Sequence, residues 1–418
     1  MSVHSTAAAN LEGTAQTLRG LPLGLTQRAR RVAAIAAAHA GDVDLQGRFP
    51  EETFAALRAE GLLGVQVPVA LGGEGATISE VAEVCFILAG ACGSSGMIFA
   101  MHQVKLACLV RHALESPWHR DFLSRVADRQ LLLASSTTEG QRGGDVRASE
   151  APILEQDGRI VLKRDASVIS YGLEADAIVT TARRHPDAAP SDQVLVVFEK
   201  GDCVLERTQG WDTLGMRGTR SLGFILTAEG LREQVVPVSY DVIHADTMSP
   251  TAHLLWSATW AGVAHVAVER ARLHTRKAVR KTGGAAPFGL QHYLSALSAL
   301  KRLRALLCEA LERFERVEAD SAMLRALDYQ TSVALLKVEV SDLAVDAVMS
   351  ALRATGLAGY RNDGDASIGR QLRDILSAPL MISNDRILAN VGLGALLSES
   401  PGAPLVTAAP KRGARIVL

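Results

Sequence analysis

Two stretches combine residue types and spacing that could do chemistry. Between Leu132 and Asp145 the chain reads LLASSTTEGQRGGD, which sets the hydroxyls of Thr137 and Thr138 beside the Glu139 carboxylate and a Gly143–Gly144 turn. Hydroxyls and backbone N–H groups aimed at one spot stabilise negative charge that develops there. Further on, LGMRGTRSLGF carries Arg217 and Arg220, guanidinium forks that could take a phosphate by bidentate pairing or serve as plain surface charge.

Other chemistries find little support. The chain has no HExxH, no GxSxG, no P-loop and no GxGxxG after a strand. Its five cysteines are scattered without metal-ligand spacing, and read as small buried hydrophobes in a reducing compartment. A net charge of −1 and 4% aromatic content argue against nucleic acid. The basic run Lys301–Arg304 reads as a solvated or subunit-facing helix stripe. No uncharged apolar run reaches the roughly 18 residues of a membrane span. The first twenty residues lack an apolar core and read as a tail, not a signal peptide. A cytoplasmic protein is expected.

The elements that must position these residues come in segregated runs. Arg28–His39 is Ala-rich and unbroken, Pro50 opens a second helix, and 78–91 and 98–114 repeat the helical pattern. Short β-branched runs follow (IVLKRDASVIS, AIVTTAR, QVLVVFEK, LGFILT), bounded by Gly, Asp and Pro. Long helical patterns return over 254–281, 292–317 and 323–354. Helices, then strands, then helices favour separate layers over alternating βαβ units. With 418 residues, two to three domains are expected.

This layout, with five segments in order, resembles the acyl-CoA dehydrogenase superfamily over residues 26–397. FPEETFAALRAEGLLGVQVPVALGGEG (49–75) is the most specific match; TTEGQRGGD resembles TEPxAGSD; ASVISYGLEADAIV (166–179) resembles KxWITNGxxADxxVV. LGMRGTRSLGF (214–224) and GLAGYRNDGDASIGRQLRD (356–374) complete the set, the last ending in the family's RxxRD. The resemblance implies an α+β multidomain fold: an N-terminal α domain at 26–130, a central β-barrel-like domain at 131–245 and a C-terminal four-helix bundle at 246–398. Tails at 1–25 and 399–418 flank them.

The resemblance also implies a flavin. Thr137, Thr138 and Ser170 would bind its ring, and Arg353, Gly356 and Gly359 its pyrophosphate side. Gly144, Arg217 and His253 would face substrate. FAD is expected, with FMN or an exchangeable reduced flavin as the alternative, because two adenosine-site positions have become Ala285 and Ala296. Acyl-thioester dehydrogenation needs a carboxylate base, yet its two usual positions hold Ile382 and Ala252. Asp385 is then the conditional base, its bland reading being a helix cap or a salt bridge with Arg386. ACGSSGMIFAMHQ (91–103) resembles the flavin monooxygenase branch, in which His102 would assist oxygen chemistry; its bland reading is a helix residue bonded to backbone or solvent. The expected function is therefore hydride transfer from an acyl-thioester to flavin. The alternatives are a reduced-flavin monooxygenase and an inactive flavin-binding homologue. An electron-transfer protein or flavin reductase as partner, and a homotetramer or homodimer, are implied.

Overall fold

A computed structural model describes residues 24–140, 146–281 and 283–397. The sequence-read tails lie outside these residues, except for 24 and 25, and so does Gly144. Among the described residues no helix is long and apolar enough to cross a membrane.

Among the described residues five α-helices form the N-terminal part. Helix α1 (Leu25–Gln46) ends where Gly47 turns left-handed at φ 60° and returns its N–H to Val43. Helix α2 (Glu51–Ala59) starts after Pro50 with two glutamates in its first turn, where the helix dipole favours acid. Helix α3 (Ile78–Ala91) opens on a reciprocal capping box between Thr77 and Glu80. Helix α4 (Gly93–His112) is buried on nearly every side, because it threads between α3, the strands and the C-terminal helices. A Cβ on Gly96 would fall 2.6 Å from that of Ala89, so only glycine permits the α3–α4 crossing. Helix α5 (Pro117–Arg129) completes the set.

Among the described residues the strands make two sheets. β1 (Leu133–Ser136) lies parallel to β4 (Ala177–Arg183), which pairs antiparallel with β5 (Gln193–Glu199). β2 (Leu154–Gln156), β3 (Arg159–Ile169), β7 (Leu222–Leu231) and β6 (Cys203–Gln209) form an antiparallel sheet in that order. The expected sequence of helical, sheet and helical regions is what the chain adopts. The sheets do not close into a barrel among the described residues. β3 alternates buried and exposed positions, as a one-sided sheet must, and its Arg164 reaches Thr181 on β4, which like β5 is buried except at its last residue. A register shift between Ala166 and Ile169 interrupts the β3–β7 ladder. Such bulges re-aim side chains next to binding sites.

The C-terminal region is built on α6 (Ser249–Lys281), α7 (Leu290–Val317) and α8 (Leu327–Thr355), with α9 (Gly369–Ile375) and α10 (Asn384–Ala395) against α8. Helix α6 is entered through a π-helical turn, His244–Met248, pinned by Asp246 to Arg325 at 2.6 Å and to Ser321 at 2.8 Å. One continuous apolar core runs through all three regions. Fully buried side chains such as Trp260, Phe99 and Leu106 contribute about 1.5–3 kcal/mol each.

Candidate active site

A cavity of about 890 Å³ opens where the three regions meet. Its sheet-side wall is hydroxylated. Thr137 and Thr138 leave the end of β1, and Ser170 follows the bulge that ends β3. Thr219 and Ser221 come from the loop before β7. Thr219 gives its proton to the Met216 carbonyl at 2.9 Å and sits 2.9 Å from Ser221, which is 2.8 Å from Ser170. Ser221 then donates to Thr219 and Ser170 to Ser221, so Ser170 heads a hydroxyl chain and offers its proton to a bound group by turning it away from Ser221. Ser167 donates to Thr138 Oγ1 at 3.1 Å, freeing the Thr138 hydroxyl proton for another acceptor.

The helical wall is mostly apolar, with Met97, Met101 and Val104 from α4 and Trp256 from α6. Trp256 buries its indole N–H with no acceptor among the described residues. His253 also faces the cavity. Its Nδ1 lies 3.0 Å from the Val333 carbonyl and must carry the proton, which leaves Nε2 as a lone-pair acceptor. Burial pushes its pKa down to about 4, so the ring is neutral at physiological pH.

The rim is held by the RxxRD segment. Asp374 accepts from the Met216 N–H at 2.7 Å, and burial raises its pKa to about 6. Arg373 pairs with Asp44 (2.8 Å to one carboxylate oxygen) and donates to Leu214 O at 3.1 Å. A Cβ on Gly215 would sit 2.1 Å from the Arg373 carbonyl oxygen, so glycine is obligatory there.

Among the sequence-derived residues, the cavity brings together Thr137, Thr138, Ser170 and His253. It does not gather the others. His102 is fully buried, with Nε2 2.8 Å from Leu63 O and Nδ1 accepting from the Leu133 N–H at 3.0 Å. Its burial pushes the pKa to about 4, and both nitrogens serve the joint between α4, the loop at Leu63 and β1. Arg217 ties Asp44 O, Asp212 and Thr213 O, each at 2.8 Å, and does not line the cavity. Arg353, Gly356 and Gly359 sit at and beyond the end of α8, away from the cavity lining. Asp385 is exposed in the first turn of α10, while its neighbour Arg386 lines the cavity.

Two family models match the chain: the acyl-CoA dehydrogenase N-terminal domain over residues 24–129 and the acyl-CoA dehydrogenase C-terminal domain over residues 252–390. Together they cover more than half of it. The chain belongs to the acyl-CoA dehydrogenase family. Members of that family are flavin oxidoreductases, and this chain is one by descent.

Its relatives within the family divide by chemistry. The amino sugar nitrososynthase DnmZ of Streptomyces peucetius is 25% identical over 82% of this chain and 85% of its own. The cyclohex-1-ene-1-carbonyl-CoA dehydrogenase of Geobacter metallireducens is 24% identical over 85% of this chain and 92% of its own. Among solved structures, the FMN-bound dibenzothiophene monooxygenase TdsC of Paenibacillus sp. A11-2 superposes with a TM-score of 0.79 at 19% identity. That superposition covers 90% of this chain and 98% of TdsC.

Sequence reasoning missed Lys105, Trp256 and Lys337. Met97, Met101 and Lys105 recur every four residues, which places them on one helix face. That spacing was the available signal. Lys337 is buried on α8, with its ammonium 2.8 Å from Ile382 O and 2.6 Å from Asn384 Oδ1. It thereby bonds the carbonyl of Ile382, a left-handed residue at φ 48°.

Proposed function

We propose that this family member is a reduced-flavin-dependent monooxygenase whose substrate lies in the cavity. The observation that carries this reading is the lining itself. Among the described residues no Asp or Glu faces the cavity, and His253 presents a neutral ring there. Removing a proton α to a thioester needs a base with a pKa near the working pH. His253, pushed down to about 4, is too weak a base for that and well suited to accept a hydrogen bond. Asp385 would have to leave the exposed face of its helix turn to serve. TdsC, a monooxygenase with FMN bound, supports the reading by its fold.

The residues present fit a flavin. Thr137, Thr138 and Ser170 would hold its ring, with hydroxyls directed at the edge where reduction concentrates negative charge. A reduced flavin held there would supply two electrons to dioxygen, one oxygen atom of which would enter the substrate while the other leaves as water. The chain's own part is to orient and to exclude water. Met97, Met101, Val104 and Trp256 keep the reacting region apolar, which strengthens each polar contact made inside it. His253 Nε2 accepts from a donor on the substrate. His102 is a positioning residue that fixes the start of β1, and through it Thr137 and Thr138. Arg353, exposed at the end of α8, would meet a pyrophosphate, a role that FAD requires and FMN does not. A separate flavin reductase is the partner this chemistry calls for.

The test is an anaerobic titration of the flavin-loaded protein with a panel of acyl-CoA esters, followed by photoreduction and mixing with oxygen. The expected result is no bleaching by any ester, with oxygen-dependent turnover of an apolar substrate once the flavin is reduced. Bleaching by an acyl-CoA ester would overturn the proposal and make the protein a dehydrogenase. Bound flavin with neither reaction would mark a binding protein that has lost catalysis.

A further inference from the structure

Among the described residues two lysines are buried, and only one of them is well satisfied. Lys337 spends its ammonium on two oxygens within 2.8 Å. Lys105 is 1% exposed and lines the cavity on the α4 face that carries Met97 and Met101. Its one hydrogen-bond partner among the described residues is the thioether of Met248 at 3.5 Å, a weak acceptor. The Tyr240 hydroxyl donates to the same sulfur at 3.1 Å and so offers no relief. Arg164, the other cation in this neighbourhood, is matched by Glu139 at 3.2 Å. Of these two buried cations, the one left without an anionic counterpart is Lys105.

Burial pushes the Lys105 pKa down to about 8, which still leaves the amine largely protonated at neutral pH. An unpaired cation out of water is costly, and a buried polar group normally finds a partner. A ligand that brings an anionic oxygen would form a charge-assisted hydrogen bond and relieve that penalty. Met97, Met101, Val104 and Trp256 line the helical side of the cavity that Lys105 shares, so that side suits a ligand with an apolar body.

We infer that Lys105 is the recognition point for a carboxylate at one end of an otherwise apolar substrate. Lys105 thereby sets specificity, while the hydroxyls of the sheet side serve the cofactor. This rests on reading the cavity as the substrate's, but not on which oxidation occurs there.

The test is calorimetric binding of phenyl-terminated straight-chain carboxylates of increasing length, each paired with its neutral amide, to the full-length protein. For at least one length the carboxylate should bind about tenfold or more tightly than its amide, the worth of one charged hydrogen bond. Lys105→Met, which replaces the amine with a chain of similar length, should erase that preference and keep the amide's affinity. If no carboxylate in the series outbinds its amide in the wild-type protein, the inference fails, whatever the variant does. A preference that survives in Lys105→Met would equally overturn it. Binding is scored without turnover, so a dehydrogenase result in the oxidation assay leaves this test standing. The converse also holds.

Discussion

His253 donates from Nδ1 to the carbonyl oxygen of Val333 across 3.0 Å, and this bond ties the first turns of α6 to α8 at the edge of the cavity. Burial keeps the ring neutral, against the pull of this bond, which favours the protonated form. His102, His112 and His119 share the condition, each pushed down to about 4 chiefly by burial. In the unfolded chain a histidine titrates near 6.5. Between about pH 6.5 and pH 4 the unfolded chain therefore takes up protons that the folded one refuses, and stability rises with pH across that window. It is fully present above about 6.5 and lost as the medium is acidified toward about 4. Melting temperature followed against pH should show a plateau at neutrality and a steep fall on the acid side. A flat profile across that window would show that the histidines are not held neutral.

Flavin affinity should depend on the hydroxyl wall. Ser170→Ala and Thr138→Val each remove a donor while keeping the backbone, and each should weaken reduced flavin by about tenfold. Oxidised flavin, which carries less charge at the same edge, should lose less. Fluorescence quenching of flavin in both redox states measures this, and equal losses in the two states would contradict the assignment.

The Glu139–Arg164 pair lies under the same loop, both side chains 5% exposed or less and 3.2 Å apart. Glu139 also accepts from Ser149 Oγ and the Glu150 N–H, each at 2.7 Å. Glu139→Gln leaves a buried guanidinium uncompensated and should lower unfolding free energy by about 3–5 kcal/mol. Replacing Arg164 by Met in the same chain should recover much of the loss. Denaturant unfolding of the two single variants and the double variant gives the coupling directly.

Ile382 is β-branched and left-handed, a conformation that disfavours such a side chain by about 1–2 kcal/mol. Asn tolerates that region, so Ile382→Asn should raise stability by about 1 kcal/mol. Lys337→Met removes the ammonium that bonds the Ile382 carbonyl and should lower it. Chemical unfolding decides both signs. A destabilised Ile382→Asn would mean that its cavity contacts outweigh the backbone strain.

Much of this was legible beforehand. The stretch from Phe49 to Gly75 carried its helix start at Pro50 and its glycine corner in plain order, because local turn chemistry fixes them. Asp374 and Arg373 followed from the RxxRD pattern, and Thr138 and Ser170 do face one cavity. What sequence could not disclose was direction. His102 and Asp385 have the right chemistry, but the first is enclosed by Leu63 and Leu133 and the second faces water. A lysine on a helix ordinarily reads as a solvated face; only the surrounding layers turn Lys105 and Lys337 inward. Closure of the β region likewise depends on long-range strand pairing, which short β-branched runs do not specify.

The hydroxyls of Thr137, Thr138, Ser170, Thr219 and Ser221 stand on strand ends and the loop before β7, whereas Met97, Met101, Trp256 and Ile387 stand on α4, α6 and α10. Redesign can therefore proceed along two nearly separate axes. Residues such as Met97, Met101 and Ile387 can be enlarged or trimmed to admit a differently shaped guest, while the donors keep their places. One scaffold could in this way change what it accepts long before it changes how it reacts.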